Sequence, residues 1–128
     1  MLIKCIKIIS PVTKEDLGDK SPWLIKGKEY VVLALNISSK CGIIVCLQTE
    51  HYNEPAYFSL NGFEIISQYM PTNWITLTKQ IDDETFIDIL PQSWSYNGFF
   101  IDLEDENYQA IKLFNKEAEL IYREEGKI

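Results

Sequence analysis

Cys41, Cys46 and His51 fall within eleven residues of one another, the closest approach in this chain to a metal or nucleophile constellation. Their spacing matches no zinc pattern, which needs paired ligands a few residues apart and a fourth donor. The three cysteines, Cys5, Cys41 and Cys46, include no CxxC pair, and their simplest reading is as small buried apolar side chains. His51 is the single histidine and lies in the polar turn HYNEP, where an exposed turn residue is the ordinary expectation and a general base the rarer one. No glycine-rich phosphate loop occurs, and Lys26-Gly27-Lys28 is too short to be one. These observations point to no metal, no cofactor and no catalytic residues.

Carboxylates remain, and they are unevenly placed. The 128 residues carry 19 acids and 12 bases, net −7. Residues 1–40 hold 7 Lys against 4 acids, whereas residues 41–128 hold 15 acids against 5 bases. Between Gln80 and Ile111 stand 8 acids, Asp82, Asp83, Glu84, Asp88, Asp102, Glu104, Asp105 and Glu106, with no Lys or Arg among them. Nucleic-acid binding requires the opposite balance, because affinity for phosphates comes largely from Lys and Arg. A basic partner fits better, although acids also serve simply to keep a protein dissolved. Paired carboxylates could instead support glycoside hydrolysis, and Trp23, Trp74 and Trp94 could stack on sugars. A small carboxylate-dependent hydrolase or carbohydrate-binding domain is therefore the alternative to a protein-binding role.

The elements that must position these residues read mainly as strands. Ile is the commonest residue with 18, Ala occurs only 4 times, and 16 residues are aromatic, a composition suited to pleated surfaces. Alternation predicts strands over 2–9, 29–37, 43–49, 56–60, 63–67, 74–78, 86–90 and 99–103. Asn61-Gly62 is a strong two-residue hairpin signal between two of them. In 99–103, period two sends Phe99, Ile101 and Leu103 one way and Phe100 and Asp102 the other. If 86–90 and 99–103 pair, Asp88 and Asp102 share a face, and a basic partner would relieve their repulsion. The loop between them supplies Trp94 and Tyr96 as candidate aromatic anchors. From Glu106 to Glu125 the spacing of Ile111, Phe114, Ala118 and Ile121 predicts an amphipathic helix, with Asp105 as its N-cap and Gly126 as its left-handed stop.

The expected fold is thus a single α+β domain over 1–128: an antiparallel, SH3-like or partly closed β-sheet of about six or seven strands with one C-terminal helix packed on it. No apolar run approaches the roughly 18 residues of a membrane span. Lys4 and Lys7 interrupt the N-terminal apolar stretch as no signal-peptide core would, so a cytoplasmic location is expected.

Three segments carry a resemblance: SPWLIKGKEYVVLAL (21–35), FEIISQYMPTNWI (63–75) and LPQSWSYNGFFIDLEDE (90–106) running into the helix. As an ordered set, the KGKEY turn-strand, the P-x-x-W steps and the acidic helix start resemble small bacterial immunity proteins of the contact-dependent-inhibition and polymorphic-toxin type. The resemblance covers somewhat over half the chain and brings no catalytic residues. It implies a cytosolic antidote that binds and neutralises a cognate toxin domain, commonly a basic nuclease. The candidate contact set is then Asp82, Asp83, Glu84, Asp88, Trp94, Tyr96, Asp102, Glu104, Asp105 and Glu106.

Overall fold

Tyr30-Val31-Val32-Leu33-Ala34-Leu35 is apolar without interruption, as a strand buried on both faces must be. In a computed structural model, which describes residues 1–18, 23–49 and 55–126, this run does more than extend one strand. It leaves one sheet and enters another. β1 (Leu2–Cys5), β2 (Glu29–Val31) and β6 (Phe63–Ser67) form a three-stranded sheet in the order β2-β1-β6. β3 (Ala34–Ser38), β4 (Gly42–Gln48), β5 (Pro55–Ser59), β7 (Trp74–Ile81) and β8 (Glu84–Pro91) form a five-stranded sheet in the order β5-β4-β3-β8-β7. At the crossing, Val32 N–H donates to Met1 O and Leu33 N–H to Cys46 O, each at 2.9 Å, so no backbone donor is stranded. All neighbouring strands are antiparallel.

The five-stranded sheet is the middle layer. Leu35, Val45, Leu47, Phe58 and Ile89 pack with Met1, Ile3, Cys5, Ile8, Tyr30 and Val32 from the three-stranded side. The alternate residues Ala34, Cys46 and Leu90 pack with Trp94, Phe99, Leu103, Ala110, Phe114, Ala118 and Ile121 from two helices, α1 (Phe99–Glu104) and α2 (Tyr108–Glu124). Period two along the strands is what divides one sheet's side chains between two cores.

The α+β class with antiparallel strands and a C-terminal helix stands as expected. The strands form two open sheets, not one curled sheet. Several local expectations are corrected. Asn61-Gly62 makes no hairpin: residues 60–62 form a 3₁₀ turn that carries the chain from one sheet to the other. Gly62 is required there because a Cβ would lie 2.2 Å from the Lys7 carbonyl oxygen. The two-residue hairpin is instead at Asp82-Asp83, both left-handed (φ 49° and 65°), which extends β7 and β8 beyond their expected ends. Residues 99–104 are helical, with left-handed Gly98 (φ 90°) before them, because Phe99 and Leu103 four residues apart reach the same core. That extra helix takes Asp105 as its own C-cap, so α2 is capped by Asn107, whose side chain accepts from the amides of Gln109 (3.0 Å) and Ala110 (3.2 Å). Gly126 is left-handed as expected (φ 74°). Among the described residues no helix is long and apolar enough to cross a membrane.

Candidate functional site

The helices cover only one end of the five-stranded sheet's outer face. Beyond Ala34, Cys46 and Leu90, the same face continues through Asn36 on β3, Ile44 on β4, Tyr57 on β5, Leu77 and Lys79 on β7, and Asp88 on β8. These residues floor an open groove of about 680 Å³. The segment Trp94–Ile101 walls it on one side, and Pro11 and Val12 reach it from the N-terminal loop.

Asp88 is the single acid of this floor. It faces Asn36 and Leu77 across the ladder, and the Asn36 amide donates to its Oδ1 at 2.5 Å. Lys79 Nζ lies 3.2 Å from Oδ2. The expected pairing with Asp102 does not form, because β8 is flanked on both edges by β3 and β7 and Asp102 is helical. Asp102 instead accepts from the Tyr96 hydroxyl at 3.3 Å. Partial desolvation and that carboxylate hold the Tyr96 hydroxyl above its usual range.

Beneath the floor, burial pushes the Cys46 thiol up to about 12, with a hydrogen bond from Tyr57 opposing the shift. Cys46 is therefore a neutral thiol near pH 7 and no nucleophile. The Tyr57 hydroxyl is also pushed up, first by burial, then by Cys46, Glu104 and Asp88. Its ring meets Phe100 edge-on, with centroids 6.2 Å apart.

The sequence-derived acids are distributed along three places. Asp82 and Asp83 make the hairpin tip, and Glu84 Oε1 accepts from the Lys40 amide at 3.2 Å. Asp88 floors the groove. Asp102, Glu104, Asp105 and Glu106 follow α1 and its exit, where Glu106 is left-handed (φ 59°). Trp94 requires correction as a surface anchor. It is 1% exposed, stacked between Phe99 and Phe114, and its indole N–H donates to the Leu113 carbonyl at 3.2 Å. Tyr96 is exposed and lines the groove. Sequence reasoning missed Ile101, which is 65% exposed because a helix turns position 101 away from 99 and 103. It also passed over Tyr57, Leu77 and Lys79, whose only signal was being the outward members of alternating strands.

Trp74 packs against both cores, so with Trp94 it offers no open platform for a sugar. His51 lies outside the described residues. Among the described residues no three His, Cys, Asp or Glu side chains gather as metal donors. No protein-family model, curated protein or solved structure matches the chain.

Proposed function

We propose that this chain is an immunity protein that binds and neutralises a cognate, basic toxin domain in the cytoplasm of the producing cell, a binding role and not a catalytic one. The observation that carries the reading is the groove face. Exposed Tyr96, Ile101 and Tyr57 surround an apolar recess, and Asp102, Glu104, Asp105 and Glu106 follow directly along α1. An apolar centre beside a charged rim is how specific protein interfaces are built, with aromatic anchors for affinity and charge for fast association. The overall charge of −7 adds long-range attraction for a basic partner. The resemblance of the ordered motifs to those of immunity proteins is in keeping with the same reading. The alternative, a carboxylate-dependent hydrolase or carbohydrate-binding domain, is less well served. Among the described residues one carboxylate lines the groove, and it is already ion-paired, whereas glycoside hydrolysis needs two.

The test is capture from the native host's lysate on the tagged protein at low and then high salt, followed by co-expression of the captured polypeptide with this chain. A basic polypeptide encoded beside this gene, released by salt, toxic alone and harmless with this chain, is the expected result. Asp102→Lys with Glu104→Lys is expected to slow association about tenfold without unfolding the protein. Retention of no basic polypeptide, or toxicity unrelieved by co-expression, would overturn the proposal.

A further inference from the structure

The groove floor contains an unusual pairing for an apolar recess. Asp88 sits in the middle of β8, its side chain 21% exposed, with Leu77, Leu90, Tyr57 and Phe100 among the groove's lining. A carboxylate in such surroundings is tolerated only when its oxygens are matched. The two oxygens are matched very differently. Asn36, fixed in the neighbouring strand, holds Oδ1 at 2.5 Å and sets the orientation of the carboxylate. Oδ2 is met at 3.2 Å by Lys79, whose own side chain is 55% exposed on the edge strand β7. A lysine side chain more than half exposed can swing its ammonium into water at little cost.

We propose that this floor receives one basic side chain of the partner, an arginine in preference to a lysine, which displaces Lys79 from Asp88. The proposal rests on the basic partner argued above and adds the chemistry that partner must bring. A planar guanidinium can stack on one ring of the edge-to-face Tyr57–Phe100 pair while its fork meets the carboxylate, which an ammonium cannot do. Charge favours it. Glu104 stands behind that wall, beside Tyr57 and Phe100, and Asp102 is held at the rim by Tyr96. Among the described lining residues Asp88 and Lys79 are the charged pair of the groove itself, with Glu104 in the recess adjoining it and Asp102 bonded to the lining residue Tyr96, so the surroundings are negative once Lys79 swings away. Both Asp88 and Glu104 act electrostatically on the Tyr57 hydroxyl, so the negative field extends over the aromatic wall. A recess of about 680 Å³ accommodates such a side chain with the backbone that carries it.

The experiment titrates the whole protein, followed by amide NMR shifts, with three blocked peptides, Ac-Gly-Arg-Gly-NH₂, its lysine analogue and its citrulline analogue. The arginine peptide is expected to shift the amides of Asp88, Lys79, Tyr57 and Phe100, with a Kd on the order of 1 mM, the lysine peptide more weakly and the neutral citrulline peptide weakest. Lys79→Met, which removes the competitor, is expected to tighten the arginine peptide by up to about fivefold, and Asp88→Asn to abolish its response. Opposite signs for the two variants are the mark of displacement, since a purely structural ion pair would weaken binding on either side. Should Asp88→Asn fail to fold, the gain in Lys79→Met still decides. Equal binding of citrulline and arginine, or no gain in Lys79→Met, overturns the proposal. A toxin captured and neutralised while the groove ignores arginine removes the pocket and leaves the neutralising role. An arginine response without a toxin leaves the pocket and removes that role.

Discussion

Trp94 shows how one side chain can hold the helical layer to the sheet. Its ring stacks on Phe99 at 5.6 Å and on Phe114 at 5.0 Å, and meets Phe100 edge-on at 6.3 Å. The indole N–H would be costly to bury alone, and the Leu113 carbonyl of α2 satisfies it. Trp94→Ala is therefore expected to cost about 3–5 kcal/mol in chemical denaturation. Tyr96→Ala, two residues on and 43% exposed, is expected to cost about 0.5 kcal/mol or less. Similar losses for the two would contradict the buried position of Trp94. Composition places both aromatics in one loop, and nothing in the loop's residues alone separates them. What separates them is α2, arriving from later in the chain to cover one ring and not the other.

At the scale of elements, the hairpin tip and α1 hold the instructive cases. Asp82 and Asp83 both occupy the left-handed region, which Asn and Gly enter at lower cost than Asp does. Asp82→Asn with Asp83→Gly is expected to stabilise the protein by a few tenths to about 1 kcal/mol, read as a higher urea midpoint with an unchanged slope. An unchanged or lower midpoint would mean that the tip is not strained. Sequence alternation found the two strands on either side of this tip, though short of their full length, and the strands that became β3, β4 and β5. In α1 it failed for a definite reason. Phe99 and Leu103 share a face at period two and also at a spacing of four, so only Ile101 distinguishes strand from helix. Its exposure, and the left-handed Gly98 that starts the turn, decide for the helix. Asn61-Gly62 misled for a related reason. The pair suits a hairpin locally, but β5 and β6 find partners in different sheets, and Gly62 is used for close approach to Lys7.

Thiols and phenols raised by burial lie in both cores, Cys5 on the three-stranded side and Cys46, Tyr57 and Tyr122 on the helical side, and these set the response of the whole molecule to alkali. Cys46 has an ordinary value of 9.0 and is raised to about 12 by burial; Tyr122 is raised from 10.0 to about 12, again chiefly by burial. Below pH 9 the folded and unfolded chains both keep the Cys46 proton, and its contribution is fully present. Above 9 the unfolded chain loses that proton while the native chain retains it, so the unfolded state binds fewer protons and stability falls. The slope from Cys46 reaches at most about 1.4 kcal/mol per pH unit. Tyr122 steepens the decline from pH 10 upward. Urea midpoints measured across pH are expected to be level around neutrality and to drop above pH 9. In Cys46→Ala the fall between pH 9 and 10 is expected to become shallower but not to vanish, because the buried Cys5 thiol is also raised from 9.0, and Tyr57 and Tyr122 add to the loss from pH 10 upward. A slope between pH 9 and 10 unchanged in that variant would show that Cys46 does not drive the loss.

By itself the sequence determined the class of the fold, the positions of most strands, the terminal helix and the acidic bias, because period, propensity and charge are local quantities that each residue carries with it. It also determined that the acids crowd into 82–106. Tertiary structure alone decided that one apolar run would serve two sheets, that Trp94 would be buried, and that the acids would divide among a hairpin tip, a groove floor and a short helix. It alone created the groove, since a recess exists only where a helical layer stops short of the sheet beneath it. That extent depends on how elements distant in the chain pack together, and no local pattern records it.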